Sequence, residues 1–144
     1  MSKIQKFMNL NRAERADVVR AIMELAGARA SLPFLSAKAL HAMRADSSSS
    51  PRRTIIDRVS IAVSRVAPAL PWRADCLVQS LAARRWLRSA GVPCSLIVGV
   101  RREGEELLSH AWLEIDGHVV IGGRDKPYKP IGAATDAKRR SGLG

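Results

Sequence analysis

The spacing of apolar residues changes at about Pro93, and this change constrains the fold more than any other feature of the sequence. Before Pro93 apolar residues recur at three- and four-residue steps, which is the pattern of helices that bury one face. After it come short apolar runs of strand length, two of which are separated by Asp116-Gly117, a strong hairpin turn signal. The sequence therefore predicts an α+β fold in which helices come first and a short antiparallel sheet packs on the last helix.

Three helices are predicted ahead of the helix that begins at Cys76. They run from about Arg12 to Arg29, from Pro33 to Arg44 and from Arg52 to Ala67. Asn11 can cap the first of them. One side of that first helix carries an apolar stripe that is expected to be core or a docking face, made of Val18, Val19, Ile22, Leu25 and Ala26.

The second half of the chain predicts strands joined by short turns. The strands are Ser95 to Val100, Leu107 to Ile115 and Val119 to Ile121, with a charged turn from Arg101 to Glu106. The length of 144 residues suits one domain, which we predict to comprise residues 1–134. The serine-rich segment 46–51 is predicted to be a flexible linker within it, and the basic tail 135–144 to be disordered.

Cys76 and His110 each lie in the local setting that a thiol nucleophile and its base require. Cys76 follows Asp75 and opens a helix, where unpaired backbone N–H groups and the helix dipole favour negative charge and can hold a developing oxyanion. His110 opens a strand that also carries Trp112, and a strand holds a side chain in a fixed direction. The pair therefore predicts thiol catalysis by residues that meet in space and not in sequence. Gln79, one turn along the helix, is either an amide of the site or a surface residue.

The remaining cysteine and histidines are predicted to have no catalytic role. Cys94 lies between a loop and a strand with no histidine in a matching context, so we interpret it as a buried structural residue. His41 and His118 are interpreted as solvated surface residues. Trp72 and Trp112 flank the two candidate residues in sequence and are predicted to wall the site.

Several spaced motifs resemble those of one known family. The motifs are Pro71 to Leu77, Arg88 to Pro93, Ser95 to Val100 and His110 to Glu114. Together they look like the transglutaminase-like protease of lasso-peptide biosynthesis, the B protein, over roughly residues 65–125. The resemblance implies a papain/transglutaminase-like fold. It also implies a cysteine protease that removes the leader peptide from a ribosomally made lasso-peptide precursor.

The resemblance further implies a Cys-His-Asp triad, and the chain departs from that pattern at the third member. Many relatives carry an aspartate twelve positions after the histidine, where this chain has Gly122. Asp125, just beyond the returning strand, is the predicted third member, whereas Asp116 lies at the hairpin tip, far from His110. A backbone carbonyl or an amide is the alternative, because either can fix the tautomer that the base needs.

The resemblance implies three partners, namely the precursor peptide, a leader-binding winged-helix protein and an ATP-dependent lasso cyclase. The N-terminal third is predicted to be helical throughout and has no strands for a winged-helix domain, so leader binding is expected on a separate chain. No nucleotide-binding glycine loop is present, so any use of ATP is assigned to a partner. Two alternatives stay open. One is an acyltransferase in which an amine replaces water, and the other is a non-catalytic scaffold that binds the precursor.

Composition narrows the remaining classes of function. The net charge of +11 suits an acidic partner and predicts salt-sensitive association, and Arg73 and Arg84 either meet acidic leader groups or lie on solvated helix faces. Nucleic acid is not a predicted partner, because aromatic residues are only 4% and no binding motif is present. Cysteine and histidine spacings fit no metal site, and no cofactor is expected. The absence of a signal-like stretch after Met1 and of a span of about 18 apolar residues predicts a cytoplasmic chain without a membrane span.

Overall fold

The structure, a computed structural model, describes residues 2–43, 53–123 and 128–130. Within these residues the helices are α1 (Lys3–Met8), α2 (Arg12–Ser31), α3 (Ala37–His41), α4 (Arg53–Val66) and α5 (Cys76–Ser89), with short 3₁₀ helices at Leu32–Phe34 and Ala67–Ala69. The predicted linker 46–51 and the predicted tail 135–144 lie outside the described residues. None of the described helices combines the length and the apolarity needed to cross a membrane.

The strands form one antiparallel sheet that follows the helices in the chain. They are β1 (Ser95–Glu103), β2 (Glu106–Ile115), β3 (His118–Ile121) and β4 (Lys129–Pro130), in the order β3-β2-β1-β4. Asp116 and Gly117 connect β2 to β3, and both have the positive φ that a tight two-residue hairpin turn requires. This arrangement confirms the predicted α+β fold class.

Buried side chains from three helices and the sheet form one hydrophobic cluster. It joins Leu25 of α2, Val63 of α4 and Leu81 of α5 to Leu96 and Leu113 of the sheet. The helix α5 lies at the centre, because it packs against α2, α4 and the strands. Core packing therefore fixes the position of α5, the helix that begins at Cys76.

The helix α2 begins where the sequence predicts, but only part of the predicted apolar stripe is buried. Asn11 caps it in a reciprocal capping box with Glu14. Its buried residues are Ala21, Leu25 and Ala28, whereas Val19 and Ile22 of the predicted stripe are 48% and 36% exposed. Small alanine side chains let α2 approach α4 and α5 closely, so packing rather than apolarity selects this face.

The helix predicted from Pro33 to Arg44 is broken in the structure. The 3₁₀ turn ends at Leu35, whose backbone is extended, and α3 starts afresh after Ser36. The Ser36 hydroxyl accepts a hydrogen bond from the Ala39 N–H at 3.0 Å, so this side chain caps a new helix instead of continuing the old one. The sequence did not predict α1 or β4, and the charged turn is shorter than predicted because Arg101 extends β1.

Candidate active site

The start of α5 is held by two side-chain hydrogen bonds. The Asp75 carboxylate is the N-cap and accepts from the Val78 N–H at 3.2 Å. The Gln79 side-chain amide donates to the Ala74 carbonyl at 2.9 Å, so Gln79 is neither a free surface residue nor an open site amide. Cys76 is thus the first residue of the helix, as predicted, in a turn that is tied to the loop before it.

The Cys76 thiol is half-buried at a place where backbone donors are available. The first N–H groups of a helix have no partner within the helix, and they lie at the positive end of its dipole. Within the described part of the chain the thiol makes no hydrogen bond. The position fits a nucleophile whose tetrahedral intermediate is stabilised by the same backbone groups.

His110 lies within β2, where its ring is held on three sides. Its Nε2 is 2.8 Å from the carbonyl oxygen of Gly122. A carbonyl oxygen only accepts hydrogen bonds, so this contact assigns the proton to Nε2 and leaves Nδ1 as the acceptor of the neutral ring. Trp112 stacks against the imidazole with ring centroids 6.1 Å apart, and the Tyr128 ring lies 5.2 Å away.

Gly122 occupies the position at which many members of the resembled family carry an aspartate, and its backbone explains the difference. Its φ is +82°, and a Cβ built there would lie 2.8 Å from the Ala111 carbonyl oxygen. A side chain at this position therefore does not fit, whereas the Gly122 carbonyl reaches His110 directly. Asp116 is exposed at the hairpin tip, and the predicted third member Asp125 lies outside the described residues.

The two candidate residues are on elements that pack together, but their side chains are not bonded to each other. The helix α5 packs on β2. Alternation along β2 puts His110 on the strand face opposite to Leu113 and Ile115, which belong to the core. No hydrogen bond joins Cys76 to His110. Because the buried residues of α5 belong to the same core, His110 lies on the side of the sheet away from this helix, and the structure does not bring the imidazole to Cys76.

The structure confirms the predictions for the other cysteine and for one histidine. Cys94 is 3% exposed, and burial raises the pKa of its thiol to about 11, against the opposing charges of Arg84 and Arg88. His118 is exposed at the start of β3. His41 ends α3, and its side chain is not among those described.

Tyr128 is a contact of His110 that sequence reasoning missed, whereas a backbone carbonyl was one of its alternatives for the group that orients the imidazole. Tyr128 precedes the short β4 strand, and only the pairing of β4 with β1 brings it to His110. Its position has no local signal in the sequence. Trp112 is buried against His110, as the predicted wall requires, and its indole N–H donates to Glu114 at 2.7 Å.

Metal-ligating side chains are not gathered in the described part of the molecule. No group of three or more histidine, cysteine, aspartate or glutamate side chains is placed there to hold an ion.

Comparison with known proteins identifies the family. Residues 13–133 match the family described as Transglutaminase-like superfamily, a stretch that includes Cys76 and His110. Over 49 residues, 34% of this chain, the sequence is 37% identical to the microcin J25-processing protein McjB of Escherichia coli. That segment spans 23% of McjB, so the chain matches less than a quarter of its relative. No solved structure matches the chain. Because the family match covers most of the chain, this protein belongs to the transglutaminase-like superfamily.

Proposed function

We propose that the chain is a cysteine peptidase that removes the leader peptide from a ribosomally made lasso-peptide precursor. The observation that carries the proposal is Cys76, a half-buried thiol at the first residue of a capped helix in a transglutaminase-like chain. The partial similarity to a protein named for processing microcin J25 supports this class of substrate.

In the proposed reaction His110 takes the proton from Cys76 through Nδ1. The thiolate attacks the carbonyl carbon at the leader–core junction, and the N–H groups at the start of α5 stabilise the oxyanion. The imidazolium then protonates the departing amine, which frees the core peptide. Water attacks the thioester that remains, which releases the leader as a carboxylic acid and regenerates the thiol. This sequence requires thiol and imidazole to approach each other when the peptide binds.

The Gly122 carbonyl is the group that we propose to orient His110. A hydrogen bond from Nε2–H to this oxygen fixes the tautomer in which Nδ1 accepts a proton. Asp125 stays a prediction for this role. Under the proposal an Asp125→Ala variant keeps most of its activity, whereas a triad built on Asp125 would lose it.

The proposed partners are the precursor peptide, a separate leader-binding winged-helix protein and an ATP-dependent lasso cyclase. The described N-terminal segment is helical, and the strands of the described residues all belong to the sheet that follows α5. Leader binding by the winged-helix protein is part of this proposal.

Two other functions use the same fold. In an acyltransferase an amine would replace water in the second step, with the same residues in the same roles. A non-catalytic scaffold is favoured by one observation, since the His110 ring is engaged by Gly122, Trp112 and Tyr128 and makes no hydrogen bond to Cys76.

Mass spectrometry of a precursor peptide from the same gene neighbourhood tests these functions. The peptide is incubated with this protein and its leader-binding partner, and Cys76→Ala and His110→Ala are compared with Cys94→Ala and His118→Ala as matched controls. We expect one cut at the leader–core junction. Cys76→Ala should abolish it, His110→Ala should slow it by roughly 10²–10⁴-fold, and both controls should retain it.

Three outcomes would contradict the proposal. An uncut precursor that still binds would favour the scaffold. A product that carries an added amine in place of a free acid would favour the acyltransferase. Cleavage that survives Cys76→Ala but not Cys94→Ala would assign the nucleophile to the other thiol.

A further inference from the structure

The C-terminal half of α5 borders a pocket that the proposed reaction does not use. Its volume is about 440 Å³, and it is lined by Arg84 and Arg88 of α5, by residues 91–94 that follow the helix, and by Ala42. Val92 and Pro93 form an apolar wall, and the two arginines supply the polar groups. The pocket is therefore concave, partly apolar and positively charged.

The two arginines have no counter-ion in the described part of the molecule. The carboxylates that form ion pairs there bind Arg20, Arg58, Arg85 and Arg101. The Arg84 Nε is buried and has no hydrogen-bond partner. A buried donor that lacks a partner is unfavourable, and more so when it is charged, so the folded chain bears a cost at this position.

The arrangement of the two charges adds to that cost. Arg84 and Arg88 are four residues apart on one helix, so their side chains share a face and repel each other. Burial lowers the pKa of the Arg84 guanidinium, and the positive charge of Arg88 lowers it further. An anion placed between the two side chains would relieve the repulsion.

We propose that this pocket binds the carboxylate of an acidic residue in a peptide ligand. Guanidinium groups present planar N–H pairs that match carboxylate geometry, and the apolar wall suits the stem of a glutamate or aspartate. Among the described residues no aromatic side chain lines the pocket, so these residues offer no surface for stacking a nucleic-acid base.

The position on α5 points to the same ligand. Arg84 and Arg88 follow Cys76 by about 12 and 18 Å along the helix, at about 1.5 Å per residue. An extended peptide covers that distance with roughly four or five residues. When the scissile peptide bond lies at Cys76, the pocket therefore receives an acidic residue a few positions away along the peptide. The choice of the substrate peptide rests on the proposed function, whereas the binding of a carboxylate does not.

Fluorescence anisotropy with fluorescein-labelled hexaglutamate tests the pocket without any cleavage reaction. The matched pair is Arg84→Met/Arg88→Gln against Arg29→Met/Arg65→Gln, which removes two charges from exposed arginines on α2 and α4. We expect the pocket variant to bind hexaglutamate on the order of tenfold more weakly than the wild type, and the control to change affinity by less than about twofold. Labelled hexaglutamine should not bind measurably.

Equal weakening by the two double variants would overturn the proposal, because binding would then follow the overall charge of +11. Binding of hexaglutamine as tight as that of hexaglutamate would also overturn it. Competition by inorganic phosphate at the same concentration as unlabelled hexaglutamate would overturn the assignment to a peptide. None of these results depends on whether Cys76 is catalytic, so the two proposals fail separately.

Thermal unfolding separates binding from a structural role for the arginines. Arg84→Met/Arg88→Gln removes an unpaired buried donor and a like-charge pair, so its Tm should equal or exceed that of the wild type. Hexaglutamate should raise the Tm of the wild type and not that of this variant. A variant that loses binding together with several degrees of Tm would show that the arginines support the fold, which would contradict the proposal.

Discussion

Gly122 combines a backbone conformation and a close contact that together decide how His110 is held. Its positive φ is accessible to glycine at little cost, and its missing Cβ leaves room for the Ala111 carbonyl. The Gly122 carbonyl is then free to face the imidazole. The backbone conformation that leaves no room for an aspartate side chain at position 122 is therefore the same one that presents the Gly122 carbonyl to His110.

Gly122→Ala should lower the free energy of unfolding by about 2–4 kcal/mol, because it adds both backbone strain and a contact with Ala111. Gly91→Ala is the matched control, since Gly91 also has a positive φ but a Cβ there would meet nothing within 4 Å. That control should cost only about 1–2 kcal/mol. Chemical denaturation measures both values.

An equal loss for the two variants would contradict the contact at Gly122. Gly122→Asp extends the same test to function. If space is the limit, the aspartate destabilises the protein and restores no activity. A gain in cleavage with little loss of stability would show that the position accepts a triad acid after all.

At the scale of elements, the loop before α5 and the first turn of that helix behave as one unit. Asp75 caps the helix, and the amide of Gln79 reaches back to Ala74. These two hydrogen bonds connect the residues before Cys76 to the residues after it. The direction of the thiol and of the first N–H groups therefore depends on the cap.

Asp75→Ala should lower the free energy of unfolding by about 1 kcal/mol and also slow alkylation of Cys76 and cleavage of the precursor. Asn11→Ala is the matched control, because it removes a similar cap from α2, which carries no candidate site residue. The control should lose stability without a change in the reactivity of Cys76. Equal losses of reactivity would mean that Asp75 acts only through overall stability.

Local signals explain which elements could be predicted. The start of α5 was predicted because the periodic apolar positions and the break at Pro71 agree. The prediction of one helix from Pro33 to Arg44 was wrong because the Ser36 hydroxyl offers the Ala39 N–H a competing hydrogen bond. The strand β4 is only two residues long, and its pairing with β1 could not be inferred from so short a segment.

At the scale of the whole molecule, α2 is part of the same core as the candidate site. The Leu25 side chain of α2 is fully buried in this core. Two ion pairs tie α2 to the other helices, Asp17 to Arg58 of α4 and Glu24 to Arg85 of α5. These surface pairs contribute little individually, so the buried apolar contacts carry most of the attachment.

Leu25→Ala should lower the free energy of unfolding by about 2–5 kcal/mol in a single cooperative transition. Val19→Ala on the exposed side of the same helix should change it by less than about 0.5 kcal/mol. Calorimetry on both variants measures the effect. A separate low-temperature transition in Leu25→Ala would indicate that α2 unfolds independently of α5 and the sheet.

The sequence by itself determined that helices come first and a sheet follows, the start of α5, the Asp116-Gly117 turn and the identities of the candidate thiol and imidazole. These features depend on residues that are close in the chain, so they can be inferred from residue spacing and hydrogen-bonding chemistry. Tertiary structure alone decided which face of α2 is buried, with Ala21 and Ala28 inside and Val19 exposed. It also decided that the Gly122 carbonyl and the Tyr128 ring contact His110. The unpaired Arg84 Nε beside the pocket is likewise a result of tertiary packing. Each of these depends on how closely two distant segments approach, and that distance is set by the packing of the whole core.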